Sequence, residues 1–161
     1  MEGQNISTFF EKDHNRLDHL FQFFRLNKQS DFLKAKQSFR DFLRGLERHI
    51  RWEEELLFPI FEARTGMKDS GPTAVMRFEH EQIKKALNTI HEKVKSNKTD
   101  SDDAESLLLE ILTQHNCKEE GILYPAIDQL LSGNEKKSVF EEIEKISAEK
   151  EPSCCGMHGS D

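Results

Sequence analysis

A repeat with an offset of 66 residues is the feature of this sequence that most limits how the chain can fold. The offset superposes several chemically distinctive residues at once: His14 on His80, His49 on His115, Glu53 on Glu119, Glu54 on Glu120, Leu57 on Leu123, Phe58 on Tyr124 and Pro59 on Pro125. Chance does not readily align two histidines, a glutamate and a proline at a single shift. We therefore infer a duplicated unit, and in each copy the two histidines lie 35 residues apart.

Each copy has the periodicity of two amphipathic helices, with apolar residues recurring at spacings of three and four. The first stripe of each copy reads Phe10, His14, Leu17, Phe21 and Phe24, then Met76, His80, Ile83, Leu87 and Ile90. The second stripe runs through Phe39, Phe42, Leu46, His49 and Glu53, then Leu108, Leu112, His115 and Glu119. We predict an all-α fold in which the duplicated helix pair forms a four-helix bundle over about residues 7–132. A short amphipathic stretch at 135–149 predicts an accessory helix.

Glycine, proline and helix-capping residues occur where the predicted helices should begin and end. Residues 66–72, with two glycines and a proline, separate the two copies, and Pro72 suits the first turn of the third helix. Asp31, and Ser101 or Asp102, are the expected N-caps of the second and fourth helices. Pro59 and Pro125 each remove a helical hydrogen bond, so we expect kinked helices that continue for one or two turns.

Residues 1–150 are therefore predicted to form one domain, and residues 151–161 a disordered tail that carries Cys154, Cys155 and His158. With 161 residues the chain is long enough for one domain with a substantial core. Three cysteines, two of them adjacent, do not make a disulfide framework.

Charge and hydropathy exclude several classes of protein. The chain has 23 Lys and Arg against 30 Asp and Glu, a net charge of -7, so we expect no nucleic-acid partner. The longest apolar run, residues 56–61, is far too short to cross a bilayer, so we expect no membrane partner. Because the N-terminus lacks the basic and apolar regions of a signal peptide, we predict a cytoplasmic protein.

A histidine and a glutamate four residues apart project from the same face of a helix. Both His-x-x-x-Glu pairs, and both remaining stripe histidines, lie on faces predicted to point into the bundle. The bundle would then enclose six candidate metal ligands: His14, His49, Glu53, His80, His115 and Glu119. Unpaired buried carboxylates are costly, and two metal ions bridged by Glu53 and Glu119 would compensate them.

Imidazole and carboxylate together suit iron, manganese or zinc. The absence of cysteine from these faces disfavours an iron–sulfur cluster, and six ligands are too many for one tetrahedral structural zinc.

The other histidines and Cys117 are predicted to lie outside this site. His19 matches Lys85 under the repeat, and we expect it at the surface. His91 matches Arg25 and lies about three turns from His80. We therefore expect His91 at a polar end of the bundle and not among the metal ligands. Cys117 is expected to be a small packing or boundary residue.

Several residues next to the candidate ligands have two interpretations. Glu54, Glu55 and Glu120 are expected on a solvated face, although Glu54 or Glu120 is also suited to holding a histidine tautomer. Trp52 and Tyr124 are expected to be packing groups.

These motifs resemble the hemerythrin-like HHE cation-binding family over about residues 7–132. The resemblance rests on a histidine in helix one, His-x-x-x-Glu-Glu-x-Leu-Leu-Phe-Pro at residues 49–59, Glu-His-Glu at 79–81 and His-x-x-x-Glu-Glu-x-Ile-Leu-Tyr-Pro at 115–125. It implies an up-and-down antiparallel bundle and two iron ions with an oxo or hydroxo bridge, manganese or zinc being the alternatives. It also implies the ligand set already given: His14, His49, Glu53, His80, His115 and Glu119.

Two differences separate this sequence from the oxygen-carrying hemerythrins. Those proteins have a second histidine in helix three, where this chain has Met76 and Lys84, and a His-x-x-x-x-Asp in helix four instead of His115-x-x-x-Glu119. The symmetric set of four His and two Glu is similar to bacterial hemerythrin-like proteins of the iron–sulfur repair and nitric-oxide or peroxide response type. It is similar also to iron-sensing hemerythrin domains. Since this chain has fewer imidazoles than the oxygen carriers, the resemblance implies that water or an extra carboxylate such as Glu54 completes the coordination of the metals.

The resemblance implies, first, a binding module for metal that binds or senses O2, NO or iron. The alternative is a di-iron enzyme that reduces NO, decomposes peroxide or repairs iron–sulfur clusters by donating iron, and the sequence does not distinguish the two. A redox partner protein is compatible with either. A metal-free helical interaction module is the third hypothesis.

Overall fold

The computed structural model describes residues 4–149, and these residues form helices and connecting turns with no strand. The seven α-helices are α1 (Ile6–Asn27), α2 (Phe32–Trp52), α3 (Phe58–Thr65), α4 (Pro72–Lys95), α5 (Asp102–Lys118), α6 (Tyr124–Leu130) and α7 (Gly133–Ala148). The all-α prediction is confirmed, and α7 occupies the place of the predicted accessory helix. The predicted tail, with Cys154, Cys155 and His158, lies outside the described residues.

Two π-helical turns, Glu53–Leu57 and Glu119–Leu123, join α2 to α3 and α5 to α6 without a break. The N–H of Phe58 bonds to the carbonyl of Glu53, five residues back, and Tyr124 does the same to Glu119. Proline at 59 and 125 has no N–H, so the regular ladder is interrupted there. The predicted continuation past each proline is present, and the interruption takes the form of a π turn.

The helix boundaries follow the local signals in the sequence. The side chain of Asp31 caps α2 by accepting a hydrogen bond from the N–H of Lys34, and Pro72 occupies the first turn of α4. Ser101 precedes α5, where its hydroxyl donates to Glu105 at 2.5 Å. Gly66 ends α3 with a φ of 76°, a left-handed conformation that favours glycine.

The buried apolar residues form two separate clusters. One contains Leu17, Phe21 and Phe24 of α1, and the other contains Ile6 and Phe10 of the same helix. His14 lies between these two sets in the sequence of α1. Residues 32–65, 72–95 and 102–130 also contribute to both clusters. The cluster that contains Phe10 comes first in 6–27 and 72–95, whereas the cluster that contains Leu17 comes first in 32–65 and 102–130.

Helix α1 packs against α2, and α4 packs against α5, as expected for two helix pairs. Helix α7 packs beside the first π turn and α2. Across residues 4–149, each helix is either too short or too polar to cross a bilayer.

Candidate metal centre

The six predicted residues meet in one layer between the two apolar clusters. We call them the His–Glu cluster: His14, His49, Glu53, His80, His115 and Glu119, each at most 4% exposed. Their donor atoms form two groups, within each of which all atoms lie within 4.8 Å of one another. The first group is His14, His49, Glu53 and Glu119, and the second is Glu53, His80, His115 and Glu119. Both glutamates therefore belong to both groups.

The two oxygens of Glu53 face different groups. Oε1 lies 3.1 Å from Nε2 of His80, whereas Oε2 lies 3.5 Å from Nε2 of His49. A carboxylate that directs one oxygen to each of two donor groups has the arrangement needed to bridge two cations.

Glu119 repeats this arrangement on the opposite pair of histidines. Its Oε1 lies 3.2 Å from Nε2 of His14 and its Oε2 lies 3.1 Å from Nε2 of His115. Glu119 Oε2 nevertheless has no hydrogen-bond partner of acceptable geometry, although it is buried. Since a buried carboxylate oxygen without a donor is costly, this atom suits a bound cation.

The outer nitrogen, Nδ1, of every histidine in the cluster contacts a carboxylate. The four pairs are His14 with Glu120 at 2.6 Å, His49 with Asp13 at 2.8 Å, His80 with Glu54 at 2.7 Å and His115 with Glu79 at 2.9 Å. A carboxylate accepting the Nδ1 proton fixes the tautomer whose Nε2 lone pair points inward. All four imidazoles are thereby oriented for metal binding.

These four outer carboxylates repeat at the same 66-residue offset as the cluster itself. Asp13 and Glu79 each precede a cluster histidine, and Glu54 and Glu120 each follow a cluster glutamate. Glu54 and Glu120 contact histidines, which is the second of the two roles considered for them, and both side chains also remain partly exposed to solvent. Asp13 and Glu79 were missed, although an acidic residue before histidine in both copies was the available signal.

Tyr124 is the residue whose role was underestimated. Its fully buried hydroxyl lies 2.6 Å from Glu53 Oε2 and 2.9 Å from Glu119 Oε1, so its single proton is shared between the two carboxylates. The same oxygen lies 3.3 Å from Nε2 of both His14 and His49. The ring does pack in the core, but the hydroxyl belongs to the first group, so the expectation of a packing residue was incomplete.

Phe58 occupies the equivalent position in the other copy. Its ring stacks on His80, with centroids 5.6 Å apart and an angle of 16° between the planes. A hydroxyl in one copy and a hydrocarbon ring in the other make the two groups chemically inequivalent.

Charge in the cluster is balanced by protons on the imidazoles when no metal is bound. Burial lowers the pKa of His49, but the attraction of Glu53 and the hydrogen bond to Asp13 outweigh it and raise the pKa to about 10. Burial also lowers the pKa of His80, but the hydrogen bonds to Glu53 and Glu54 outweigh this effect and raise the pKa to about 9. Burial and the two carboxylates raise the pKa of Tyr124 well above its usual value, so it stays a neutral donor.

The donor set fits metal cations. Each group supplies two imidazole nitrogens and two carboxylate oxygens, ligands that suit iron, manganese and zinc. Two cations would neutralise the buried carboxylates in place of the imidazole protons.

A small cavity of about 10 Å³ adjoins the cluster on the side away from Tyr124. Five of the six cluster residues contribute to its wall, and the remainder is mainly apolar, including Leu17, Leu46, Ile83 and Leu112. This volume is about what one water-sized molecule needs.

The remaining candidates lie away from both groups. His19 and Cys117 are exposed. The ring of His91 stacks on the ring of Phe39, with centroids 6.5 Å apart, and Phe39 belongs to the apolar cluster that contains Leu17. Glu55 pairs with Arg51 at the surface.

Comparisons with known proteins agree with the geometry. The family model described as the hemerythrin HHE cation binding domain matches residues 5–127. The chain is 28% identical over 144 residues to an uncharacterised hemerythrin-like protein of Schizosaccharomyces pombe (strain 972), covering 88% of this chain and 70% of that protein.

It is also 27% identical over 134 residues to a protein named DNA nickase from Nostoc sp. (strain PCC 7120), covering 83% of this chain and 36% of that protein. The chain thus spans about a third of the nickase, and no solved structure matches it. The family match confirms the resemblance seen in the sequence motifs. The chain belongs to the hemerythrin HHE cation-binding domain family, and its His–Glu groups could hold metal.

Proposed function

We propose that this domain holds two iron ions in the His–Glu cluster and binds or senses a small uncharged molecule, O2 or NO, in the adjoining cavity. The observation that carries the proposal is the position of a cavity of about 10 Å³ directly against two four-donor groups. The alternating order of the apolar clusters along the four long segments supports the finer proposal of an up-and-down antiparallel bundle.

In the proposed site, His14 and His49 would hold one ion and His80 and His115 the other, with Glu53 and Glu119 shared between them. Four protein donors for each ion leave coordination positions free, so bound iron would supply a redox-active Lewis acid that a small molecule can reach. Manganese or zinc would fit the same donors.

The chain's own residues would do three things around that centre. The outer carboxylates hold the imidazoles in one tautomer, as the short contact of His14 with Glu120 illustrates. The leucines and isoleucine of the cavity exclude bulk water. Tyr124 keeps its proton and shares it between the two carboxylates, which stabilises their negative charge.

A di-iron enzyme that reduces NO or decomposes peroxide is the second candidate. The hydroxyl of Tyr124, 2.6 Å from Glu53, favours it because a proton donor lies within the site. DNA nicking is not extended to this chain, because the matched region covers only 36% of the nickase and the net charge of -7 repels phosphates.

The test is iron loading followed by titration with NO. Protein loaded anaerobically with ferrous iron should hold about two ions per chain and show saturable spectral changes with NO. The Glu119→Ala variant should lose both, whereas the matched surface variant Glu55→Ala should retain both. Iron retained at two per chain in Glu119→Ala, or no response to NO or O2 in the loaded protein, would contradict the proposal. Turnover of NO or peroxide faster than with free iron would favour the enzyme.

A further inference from the structure

The wall of the cavity beside the His–Glu cluster is buried almost everywhere. Its exceptions are two polar residues, Asp18 of α1, which is exposed, and Asn116 of α5, which is half-buried. Every other residue that lines the cavity is buried. Any path from solvent through this wall is therefore shortest between α1 and α5.

A groove of about 420 Å³ lies outside the cavity, between the same two helices. Asp18, Leu112 and Asn116 line both the groove and the cavity. These three side chains thus form the partition between solvent and the space next to the cluster. Leu112 is only 6% exposed and closes the partition with a flexible apolar side chain.

We propose that this groove is the entrance through which small uncharged molecules reach the cavity, passing between Asp18 and Asn116 as Leu112 changes rotamer. The inference rests on the proposed function, since it assigns a route to the ligand of that site. A rotamer change of one side chain is a smaller motion than separation of two helices, so a diatomic molecule would enter without opening of the bundle.

The charges around the entrance favour uncharged molecules over anions. The carboxylates of Asp18 and Glu120 line the groove, and the guanidinium of Arg25 in the same groove is paired with Glu105 at 3.1 Å. An anion approaching the partition therefore meets net negative charge, which a neutral molecule does not feel.

The duplication shows that this entrance is specific to one copy. Under the 66-residue offset, Asp18 corresponds to Lys84 and Asn116 corresponds to Ile50. Ile50 is 4% exposed and lies in the apolar cluster with Leu46, the equivalent of Leu112. The position that carries an amide at the entrance thus carries a buried hydrocarbon side chain in the other copy.

Cys117, an exposed thiol that lines the groove, allows the entrance to be obstructed. With Cys154 and Cys155 changed to Ser, a bulky maleimide would label Cys117 alone. Arg51 is the equivalent of Cys117 in the other copy, so the same chain carrying Cys117→Ser and Arg51→Cys is the matched control. The measurement is stopped-flow binding and release of NO by the ferrous-loaded chains.

Labelled Cys117 should slow both the association and the dissociation of NO by about tenfold or more while leaving Kd unchanged, because an obstruction raises the barrier in both directions. The labelled Arg51→Cys control should bind at the unlabelled rate. Equal rates with and without the label at Cys117, or equal slowing in the control, would overturn the entrance. Asn116→Trp, which fills the partition itself, should slow both rates in the same way.

Single-turnover oxidation of the ferrous protein by hydrogen peroxide provides a second probe, which requires no stable complex. Loaded protein that responds to neither NO nor O2 would contradict the proposed function, yet its peroxide reaction would still be slowed by the label if the entrance is correct. An unchanged peroxide rate would overturn the entrance independently. Azide should bind the ferric-loaded protein faster when Asp18→Asn removes charge from the entrance, and no acceleration would contradict the charge argument.

Discussion

Two glutamates flank His80, and the structure gives them different roles. The carboxylate of Glu79 accepts from Nδ1 of His115 at 2.9 Å, whereas Glu81 contacts only Lys84 at the surface. Burial raises the pKa of Glu79, and hydrogen bonds from Lys118 and His115 outweigh it, so the pKa lies below its usual value. Glu79 is therefore charged at neutral pH. The Glu79→Gln change removes this charge but keeps an oxygen that can accept from His115.

The expected loss is about tenfold to a hundredfold in metal affinity, the usual effect of removing a partner that orients a metal-bound histidine. This corresponds to about 1.4 to 2.7 kcal/mol of binding free energy. Because Gln still fixes the His115 tautomer, we expect a value near the lower limit. Stability in saturating metal should fall by the same amount, since ligand binding adds to the free energy of unfolding.

Competition between the protein and a chelator of known affinity measures the loss directly. Glu81→Gln is the matched control and should leave the affinity unchanged. Lys118→Met removes the other partner of Glu79 without touching His115, so it separates loss of the ion pair from loss of the histidine contact. Equal affinities for the Glu79→Gln and Glu81→Gln variants would show that the outer carboxylates do not affect metal affinity.

Four further predictions concern the metal-free chain and the protons it releases when metal binds. Tyr124→Phe removes the proton donor that two buried carboxylates share, and should destabilise the metal-free chain by about 3 kcal/mol in urea unfolding. Its effect on the metal-loaded chain should be smaller, and equal losses would contradict this. The raised pKa values of His49, about 10, and His80, about 9, predict that metal binding at pH 7.5 releases about two protons, measurable by calorimetry in buffers of different ionisation enthalpy. Protonated His49 and His80 stabilise the metal-free chain fully below about pH 6.5, and this stabilisation is lost as pH rises through 9 to 10. A free energy of unfolding that instead rises over that range would contradict the raised pKa values. Gly45→Ala would place a Cβ 2.6 Å from Leu17, so it should destabilise by about 1 kcal/mol despite its better helix propensity, and a more stable variant would contradict that packing.

The repeat in the sequence was sufficient to predict which residues meet. His14 and His80 lie on apolar stripes at the same offset as the two His-x-x-x-Glu pairs, and helical periodicity places all six on inner faces. The all-α class followed from the same periodicity. These features depend on positions within single helices, which the sequence records directly.

The outer carboxylates were harder to predict because each contact crosses from one helix to another. Asp13 adjoins His14 in sequence yet bonds to His49 of α2, and Glu54 bonds to His80 of α4. Such pairs depend on how the helices are rotated and spaced, which a single-helix pattern does not contain. A charged residue next to a candidate ligand therefore did not identify its partner on another helix.

The role of Tyr124 and the form of the π turns also could not be predicted from the hydrophobic pattern alone. In a hydrophobic pattern Tyr124 and Phe58 are equivalent, and only the position of the hydroxyl against Glu53 distinguishes their roles. Proline at 59 predicts an interrupted ladder, but a kink and a π turn both satisfy that requirement.

Anomalous diffraction from crystals of the iron-loaded protein locates each ion relative to the His–Glu cluster. If the cluster holds two irons, two peaks should lie in the layer between the apolar clusters, one against His14 and His49 and the other against His80 and His115. Both peaks should contact Glu53 and Glu119. A single peak, or iron bound outside these six residues, would rule out the proposed di-iron site.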